Sequence, residues 1–143
     1  MSSSKVLLVD DEIEFLETLA ARLKTRGLEV SVAQTGGMAV EKVQEKSFDA
    51  ILLDLAMPGM DGIDTLKRLR ELNPDSQVIL LTGQATVKKA TEVMRLGALD
   101  LLEKPADIEL VVEKIEEAAT NKIRLTEKRI EEKISDILRK KGW

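Results

Sequence analysis

Five polar side chains could act together chemically, because they lie at the ends of four apolar runs that are typical of buried strands. They are Asp10, Asp11, Asp54, Thr82 and Lys104. Taken singly, each has a plainer interpretation: an aspartate near a strand end is commonly a turn former, and a hydroxyl or an ammonium there is commonly solvated. Together, three carboxylates, a hydroxyl and an ammonium can surround a divalent cation, and a carboxylate can accept a phosphoryl group as an acyl phosphate. The joint pattern therefore favours a chemical site over unrelated surface residues.

The strands that would carry these residues alternate with helical patterns along the chain. The predicted strands cover residues 6–9, 28–33, 50–54, 78–81 and 98–102. Strands this apolar belong to a parallel sheet covered on both faces, and right-handed crossovers bring all the carboxyl ends to one edge. We therefore predict an α/β fold with a doubly wound, five-stranded parallel sheet and an extended C-terminal helix. The polar side chains are expected to meet at one edge of that sheet.

Two local predictions concern the helices. Asp11 and Glu14 have the spacing of a capping box at the start of the first helix. The fourth helix is predicted from apolar residues at helical spacing, namely Val87, Ala90, Val93 and Met94.

Composition excludes several classes of function. The 143-residue chain has the length of one domain, with 43% hydrophobic and 34% charged residues, as in globular proteins. It contains no cysteine and no histidine, so a bound metal would need oxygen ligands, which favour Mg²⁺, Mn²⁺ or Ca²⁺. The net charge of −4 argues against nucleic acid as a direct partner. Since the sequence shows no signal peptide and no run of transmembrane length, we predict a cytoplasmic protein without membrane contact.

Four short motifs resemble those of the receiver domains of bacterial two-component response regulators. They are Val9 to Glu12, Leu53 to Gly62, Leu81 to Gly83 and Glu103 to Pro105. The motifs occur in the order and spacing of that family, and the resemblance covers roughly residues 5 to 120. It implies a flavodoxin-like sheet with strand order 2-1-3-4-5. It also implies that Asp54 accepts a phosphoryl group from the phosphohistidine of a sensor histidine kinase or phosphotransfer protein.

The same resemblance assigns roles to individual residues. The implied catalytic residues are Asp54, Lys104 and Thr82. The implied metal ligands are Asp10, Asp11, Asp54 and Ala56. Of these, Asp10 would act largely through water and Ala56 through its carbonyl, with Mg²⁺ or Mn²⁺ as the ion. Lys104 and Thr82 would bind phosphoryl oxygens, so the protein would be a switch with autocatalysed phosphotransfer and autodephosphorylation rather than a metabolic enzyme.

One position departs from the family pattern. Receivers usually carry tyrosine or phenylalanine three residues before the lysine of the Lys-Pro motif, whereas this chain has Leu101. The aromatic residues of the chain are Phe15, Phe48 and Trp143. We therefore expect either that helix and loop shifts relay phosphorylation or that its coupling to the rest of the domain is weak.

The C-terminal part of the sequence continues beyond the length of a receiver. We expect a receiver domain over residues 1–121 and a helical extension or linker over residues 122–143. Ile123, Ile130 and Ile137 recur every seven residues, with Ile134 and Leu138 beside them. This stripe fits either a helix that folds back on its own domain or a short coiled coil. We predict the coiled coil, and hence a homodimer that pairs the C-terminal helices.

Two other classes of protein remain as alternatives. A haloacid-dehalogenase-type phosphohydrolase also uses an aspartate nucleophile after a parallel strand, but it needs an acidic residue two positions later, where this chain has Ala56. A structural pseudo-receiver usually lacks the acidic pair or the lysine, and both are present here. The receiver interpretation is therefore preferred.

Overall fold

Five parallel strands form one sheet in the order β2-β1-β3-β4-β5, which confirms the predicted fold class and strand order. The computed structural model describes residues 3–57 and 61–142. The elements are β1 Lys5–Val9, α1 Ile13–Thr25, β2 Glu29–Ala33, α2 Gly36–Glu45, β3 Ala50–Asp54, α3 Gly62–Leu72, β4 Val78–Thr82, α4 Val87–Arg95, β5 Asp100–Glu103 and α5 Ile108–Lys140.

Helices cover the sheet on both faces, because alternate residues of each central strand point to opposite sides. On one face, Leu8 and Ile79 pack with α1 and α5. On the other face, Leu7 and Leu80 pack with α2, α3 and α4. Burial on both faces explains the continuous apolar runs of β1, β3 and β4.

The register of the strands brings the site residues to one edge. Val9 pairs with Leu53, and Asp54 pairs with Leu81, so β1, β3 and β4 end at nearly the same level. Thr82 pairs with Glu103, which precedes Lys104. The predicted gathering of polar side chains at the carboxyl ends therefore follows from strand length and register.

The start of α3 depends on a close approach of the backbone. The Asp61 carboxylate caps the helix by accepting a hydrogen bond from the Asp64 N–H at 2.9 Å. A Cβ atom on Gly62 would lie 2.4 Å from the Leu55 Cα and 2.5 Å from the Asp54 carbonyl oxygen. Only glycine fits here, so this residue holds the first turn of α3 against the end of β3. Pro58, Gly59 and Met60, which belong to the same motif, lie outside the described residues.

The capping-box prediction for α1 is wrong. The N-cap is Glu12, whose side chain makes no capping hydrogen bond, so Asp11 lies one residue too early to form the box with Glu14. The Asp10 carboxylate instead accepts a hydrogen bond from the Glu12 N–H at 2.9 Å, which turns the chain out of β1.

The four apolar residues that predicted α4 do not form one buried face. Val93 is fully buried, whereas Val87 is 85% exposed and Met94 is 48% exposed. At about 100° per residue these positions fall within about 120° of the helix circumference, so they share one side of α4. Only Val93 on that side is fully buried, and Val87 is the first residue of the helix. Helical spacing thus predicted the element correctly but not the buried residues.

Helix α5 runs without interruption for 33 residues and passes the proposed domain boundary at residue 121. Its first half is buried through Val111, Ile115 and Ala118. Further along, Lys122 donates a hydrogen bond to the Phe48 carbonyl at 2.9 Å, and Arg129 pairs with Asp75 at 2.8 Å. The helix is therefore tied to the amino-terminal edge of the sheet and does not fold back within the described residues. Among those residues, no helix has both the length and the apolar character needed to cross a membrane.

Candidate functional site

Three carboxylates meet at the carboxyl edge of the sheet. Asp10 follows β1, Asp54 closes β3, and both are buried, whereas Asp11 is exposed. One carboxylate oxygen from each residue lies within 4.8 Å of the others. Such crowding of negative charge is unfavourable unless cations lie among the carboxylates.

Lys104 supplies one of these cations from within the chain. Its Nζ lies 2.6 Å from Asp10 Oδ2 and 3.7 Å from Asp54 Oδ1. The side chain is only 14% exposed. Burial by itself would lower the pKa of this ammonium, but the hydrogen bond and the negative charge of Asp10 outweigh it and raise the pKa. Lys104 therefore stays charged and partly neutralises the cluster.

The pKa of Asp54 indicates that its carboxylate lacks enough positive charge nearby. Burial, followed by the charge of Asp10, raises the pKa of Asp54 from its usual 3.8 to about 6. Lys104 and a 3.3 Å hydrogen bond from the Ala56 N–H oppose this rise without cancelling it. Asp54 is thus a carboxylate whose ionised form lacks sufficient neutralisation and gains from an added cation.

Thr82 reaches the same edge, but its hydroxyl is engaged by the loop that follows. Its Oγ1 accepts a hydrogen bond from the Gln84 N–H at 3.3 Å and lies 3.4 Å from the Gln84 carbonyl oxygen. The Glu103 carboxylate accepts a hydrogen bond from the next N–H, that of Ala85, at 2.7 Å. Contact between the Thr82 hydroxyl and a group on Asp54 therefore requires that its hydrogen bonds with Gln84 break.

The sequence reasoning missed two neighbours of Lys104. Glu12 Oε1 lies 3.7 Å from Nζ, and the centre of the Phe15 ring lies 4.3 Å from it. Both residues follow the acidic pair closely, and the α1 pattern could have placed Phe15 on the side of the helix facing the sheet. Leu101, the position of the missing aromatic, is partly buried against the α2, α3 and α4 face.

The cluster is chemically suited to Mg²⁺. All its donors are oxygen atoms, and an exposed Asp11 beside a buried Asp54 leaves room for the waters that Mg²⁺ usually retains. Ala56 lies beside Asp54, but the role of its carbonyl as a ligand stays a prediction. A divalent cation would supply the positive charge that Lys104 alone does not.

We expect the stability of the metal-free protein to fall as pH rises from 4 to 7. The unfolded chain loses the Asp54 proton near pH 3.8, whereas the folded chain keeps it until about pH 6. The contribution of this group is therefore fully present below pH 3.8 and is lost as pH rises through 6. The expected decrease in the free energy of unfolding is up to about 3 kcal/mol.

Urea unfolding in EDTA at a series of pH values measures this decrease. The Asp54→Asn variant is the reference, because it lacks the titrating group and should show a flatter profile. Parallel profiles for the two proteins between pH 4 and 7 would contradict the raised pKa.

Sequence comparisons show which known proteins resemble this chain. The model of the family described as "Response regulator receiver domain" matches residues 6–116. The transcriptional regulatory protein ZraR of Klebsiella oxytoca is 40% identical over 127 residues, which is 89% of this chain and 28% of that protein. The chain therefore spans little more than a quarter of that relative's length.

Solved structures show the same similarity. A response regulator receiver domain from Clostridium thermocellum has a TM-score of 0.81 and 30% identity, covering 85% of this chain and 98% of that one. The CheX–CheY–BeF₃–Mg²⁺ complex from Borrelia burgdorferi has a TM-score of 0.75 and 27% identity, covering 78% of this chain and 86% of that one.

Proposed function

The chain belongs to the family of response regulator receiver domains of two-component phosphorelays, and we propose that Asp54 is its phosphoacceptor. The proposed donor is a sensor histidine kinase or a phosphotransfer protein. In the transfer, the phosphorus–nitrogen bond of a phosphohistidine breaks, a phosphorus–oxygen bond forms to an Asp54 carboxylate oxygen, and the imidazole keeps the electron pair. Water later releases inorganic phosphate. We place this exchange in the cytoplasm, where ATP-dependent kinases work, and the phosphorylated form would act on a partner or output domain.

The observation that carries this proposal is the environment of Asp54. Its buried carboxylate closes a strand, lies beside two other carboxylates and has the Lys104 ammonium 3.7 Å away. Phosphoryl transfer depends chiefly on positioning and charge neutralisation. The strand end positions Asp54, and Lys104 together with an added divalent cation would neutralise the charge. Lys104 would hold one phosphoryl oxygen, and Thr82 would hold another after its hydroxyl turns away from Gln84.

We propose Mg²⁺, with Mn²⁺ as a substitute, as the ion that completes the site. Asp11, Asp54 and the Ala56 carbonyl would bind it directly, with Asp10 acting through water. The acidic cluster supports this assignment, and so does the similar Borrelia burgdorferi complex, which contains Mg²⁺ and BeF₃. When bound, the ion would neutralise charge on the phosphoryl group and the carboxylates.

The test of the proposed function is direct phosphorylation by a small donor. Incubation with acetyl phosphate and Mg²⁺ should add the mass of one phosphoryl group, and alkali should remove it, as expected of an acyl phosphate. Borohydride converts phosphorylated aspartate to homoserine, so peptide mapping should find homoserine at position 54. Omitting the divalent cation should prevent the mass gain. Homoserine elsewhere, or no mass gain with Mg²⁺ present, would contradict the proposal.

Metal binding should depend on Asp11 more than on Asp10. Asp10 already interacts with Lys104 and with the Glu12 N–H, whereas Asp11 extends into solvent. We expect Asp11→Ala to weaken Mg²⁺ binding by roughly tenfold or more beyond the effect of Asp10→Ala, which corresponds to about 1.4 kcal/mol. Shifts of the amide resonances near Ala56 during Mg²⁺ titration measure both variants. Equal losses would refute the division into direct and water-mediated ligands.

We also propose a homodimer that pairs the C-terminal helices of two chains. Past residue 121, which we propose as the end of the receiver domain, α5 carries apolar side chains that are 38–59% exposed. They are Ile123, Leu125, Ile130, Ile134, Ile137 and Leu138. The helix is about 50 Å long at 1.5 Å per residue, so its second half projects well past the sheet. A second copy of the same helix is the simplest cover for such a stripe.

Sedimentation of the protein against a version truncated after Asn121 tests the dimer. We expect the 143-residue chain to sediment as a dimer at tens of micromolar and the truncated version as a monomer. Ile130→Glu is the matched single-residue variant, because it places charge in the stripe without shortening the helix. A monomeric 143-residue chain, with or without phosphorylation, would rule out this dimer.

A further inference from the structure

We propose that Phe15 is a positioning residue for Lys104, and that its ring retains the ammonium in the site when a divalent cation binds the carboxylates. This inference deepens the proposed function and rests on it, because it concerns the same lysine and the same reaction. The ring takes part through its contact with Lys104 and does not touch the reacting atoms.

Among the described residues, the Lys104 ammonium contacts three carboxylates and one aromatic ring. Nζ lies 2.6 Å from an Asp10 oxygen and 3.7 Å from oxygens of Asp54 and Glu12. The centre of the Phe15 ring is 4.3 Å from Nζ, well inside the 6 Å range of a cation–π contact. Of these four neighbours, the ring is the one that attracts the ammonium without carrying a negative charge.

That difference matters because Lys104 and a divalent cation compete for the same groups. Asp10 and Asp54 both contact Nζ, and both belong to the acidic cluster that would hold the ion. Once a doubly charged ion lies among these carboxylates, their attraction for the ammonium weakens. A lysine has a long, flexible side chain that gains freedom by swinging into solvent. The ring opposes this movement by a factor of about three to thirty in the equilibrium between the retained and solvent positions.

The fold holds the ring in place independently of the ion. Phe15 lies in the first turn of α1 and is partly buried against the core between the sheet and α5. It lines a cavity of about 150 Å³ together with Pro105, the residue after Lys104. The ring thus bridges α1 and the segment that leads from β5 to α5.

The aromatic residue beside Lys104 comes from α1 and not from β5. Leu101 packs on the opposite face of the sheet and has no π system with which to bind an ammonium. The other described ring, Phe48, lies before β3 at the opposite edge, where Lys46 is 5.4 Å from its centre. Within the described part of the chain, α1 therefore provides the aromatic contact of the site.

The test compares Phe15→Leu with Phe15→Trp. Leucine keeps an apolar side chain but removes the π face, whereas tryptophan keeps the face. In the wild type, the ring current should shift the side-chain proton resonances of Lys104 upfield, both without metal and with saturating Mg²⁺. Phe15→Leu should abolish this shift, and Phe15→Trp should preserve it.

In Phe15→Leu, the Mg²⁺ affinity and the rate of phosphorylation should change in opposite directions. The Mg²⁺ affinity should increase roughly threefold or more, because the ammonium competes less for the carboxylates. The rate of phosphorylation by acetyl phosphate at saturating Mg²⁺ should decrease roughly three- to tenfold, because Lys104 is less often in the site. A general loosening of the structure would reduce both quantities. Phe15→Trp should restore both toward the wild-type values.

Phe48→Leu is the matched control, since it removes a ring beside a lysine at the opposite edge of the sheet. It should leave the Lys104 resonances, the Mg²⁺ affinity and the phosphorylation rate unchanged. An unaltered ring-current shift in Phe15→Leu, or a Mg²⁺ affinity that stays equal or falls, would overturn the role of Phe15. If the wild type takes up no phosphate, the proposed function fails, whereas the resonances and the Mg²⁺ affinity still decide the role of Phe15.

Discussion

Replacing Asp54 with asparagine should abolish phosphorylation by acetyl phosphate. The amide lacks the anionic oxygen that would form the phosphorus–oxygen bond, and no other carboxylate of the acidic cluster closes a strand in the same environment. We expect no mass gain under conditions that modify the wild type completely. The same change should stabilise the metal-free protein at pH 7 by up to about 3 kcal/mol, because it removes the penalty of ionising a carboxyl group whose pKa is about 6.

Asp49→Asn is the matched control for this variant. Asp49 precedes the same strand at the opposite edge of the sheet, where its carboxylate accepts a 2.7 Å hydrogen bond from the Lys5 N–H. This variant should be phosphorylated like the wild type. Comparable phosphorylation of Asp54→Asn would show that a different residue is the acceptor.

Replacing Lys104 with methionine should have the second largest effect. The change keeps much of the apolar stem but removes the charge that faces the buried carboxylate of Asp10. Without metal, the unpaired carboxylate should lower the free energy of unfolding by about 3 kcal/mol, and Mg²⁺ should recover part of this loss by supplying another cation. The rate of phosphorylation should fall by about a hundredfold, which is typical for the loss of one preorganised electrostatic contact.

Urea unfolding with EDTA and with Mg²⁺ measures the first effect, and mass spectrometry over time measures the second. Lys114→Met is the control, because Lys114 pairs with Asp100 at 2.9 Å on a more exposed surface. Losing this ion pair should lower the free energy of unfolding by at most about 1 kcal/mol and leave the rate of phosphorylation unchanged. Equal stability losses in the two lysine variants, with no response to Mg²⁺, would show that Lys104 has no special part in neutralising the cluster.

Much of the fold was predictable because its strands are buried on both faces. The apolar runs of β1, β3 and β4 can be recognised as strands from their own sequences, and each ends on or before a polar residue. The strand order was predicted from the resemblance of the motifs and not from periodicity. The hydrophobic pattern of one strand does not indicate which strand lies beside it. The buried residues of α4 were not predictable, because its apolar positions share one side of the helix and only the packing of α4 on the sheet decides that Val93 is buried and Val87 is exposed.

The gathering of Asp10, Asp11 and Asp54 was also predictable from the sequence. Parallel strands joined by right-handed crossovers leave their carboxyl ends at one edge, so residues that close those strands must be neighbours. The roles of these residues as ligands or acceptor stay predictions that the proposed experiments test. The contacts of Glu12 and Phe15 with Lys104 were missed, since both residues lie on or before α1 and reach the site only through its packing on the sheet.

The sequence by itself determined which groups could react and at which edge they would lie, because strand ends and polar residues coincide along the chain. The tertiary structure alone decided that the Lys104 ammonium lies closer to Asp10 than to Asp54, and which ring lies over it. It also decided that α5 is anchored at the amino-terminal edge of the sheet through Lys122 and Arg129. These contacts join residues that lie between 50 positions apart, for Lys104 and Asp54, and 94 positions apart, for Lys104 and Asp10. Their distances depend on the packing angle of helix against sheet and on side-chain rotamers, which arise only when both partners are in place.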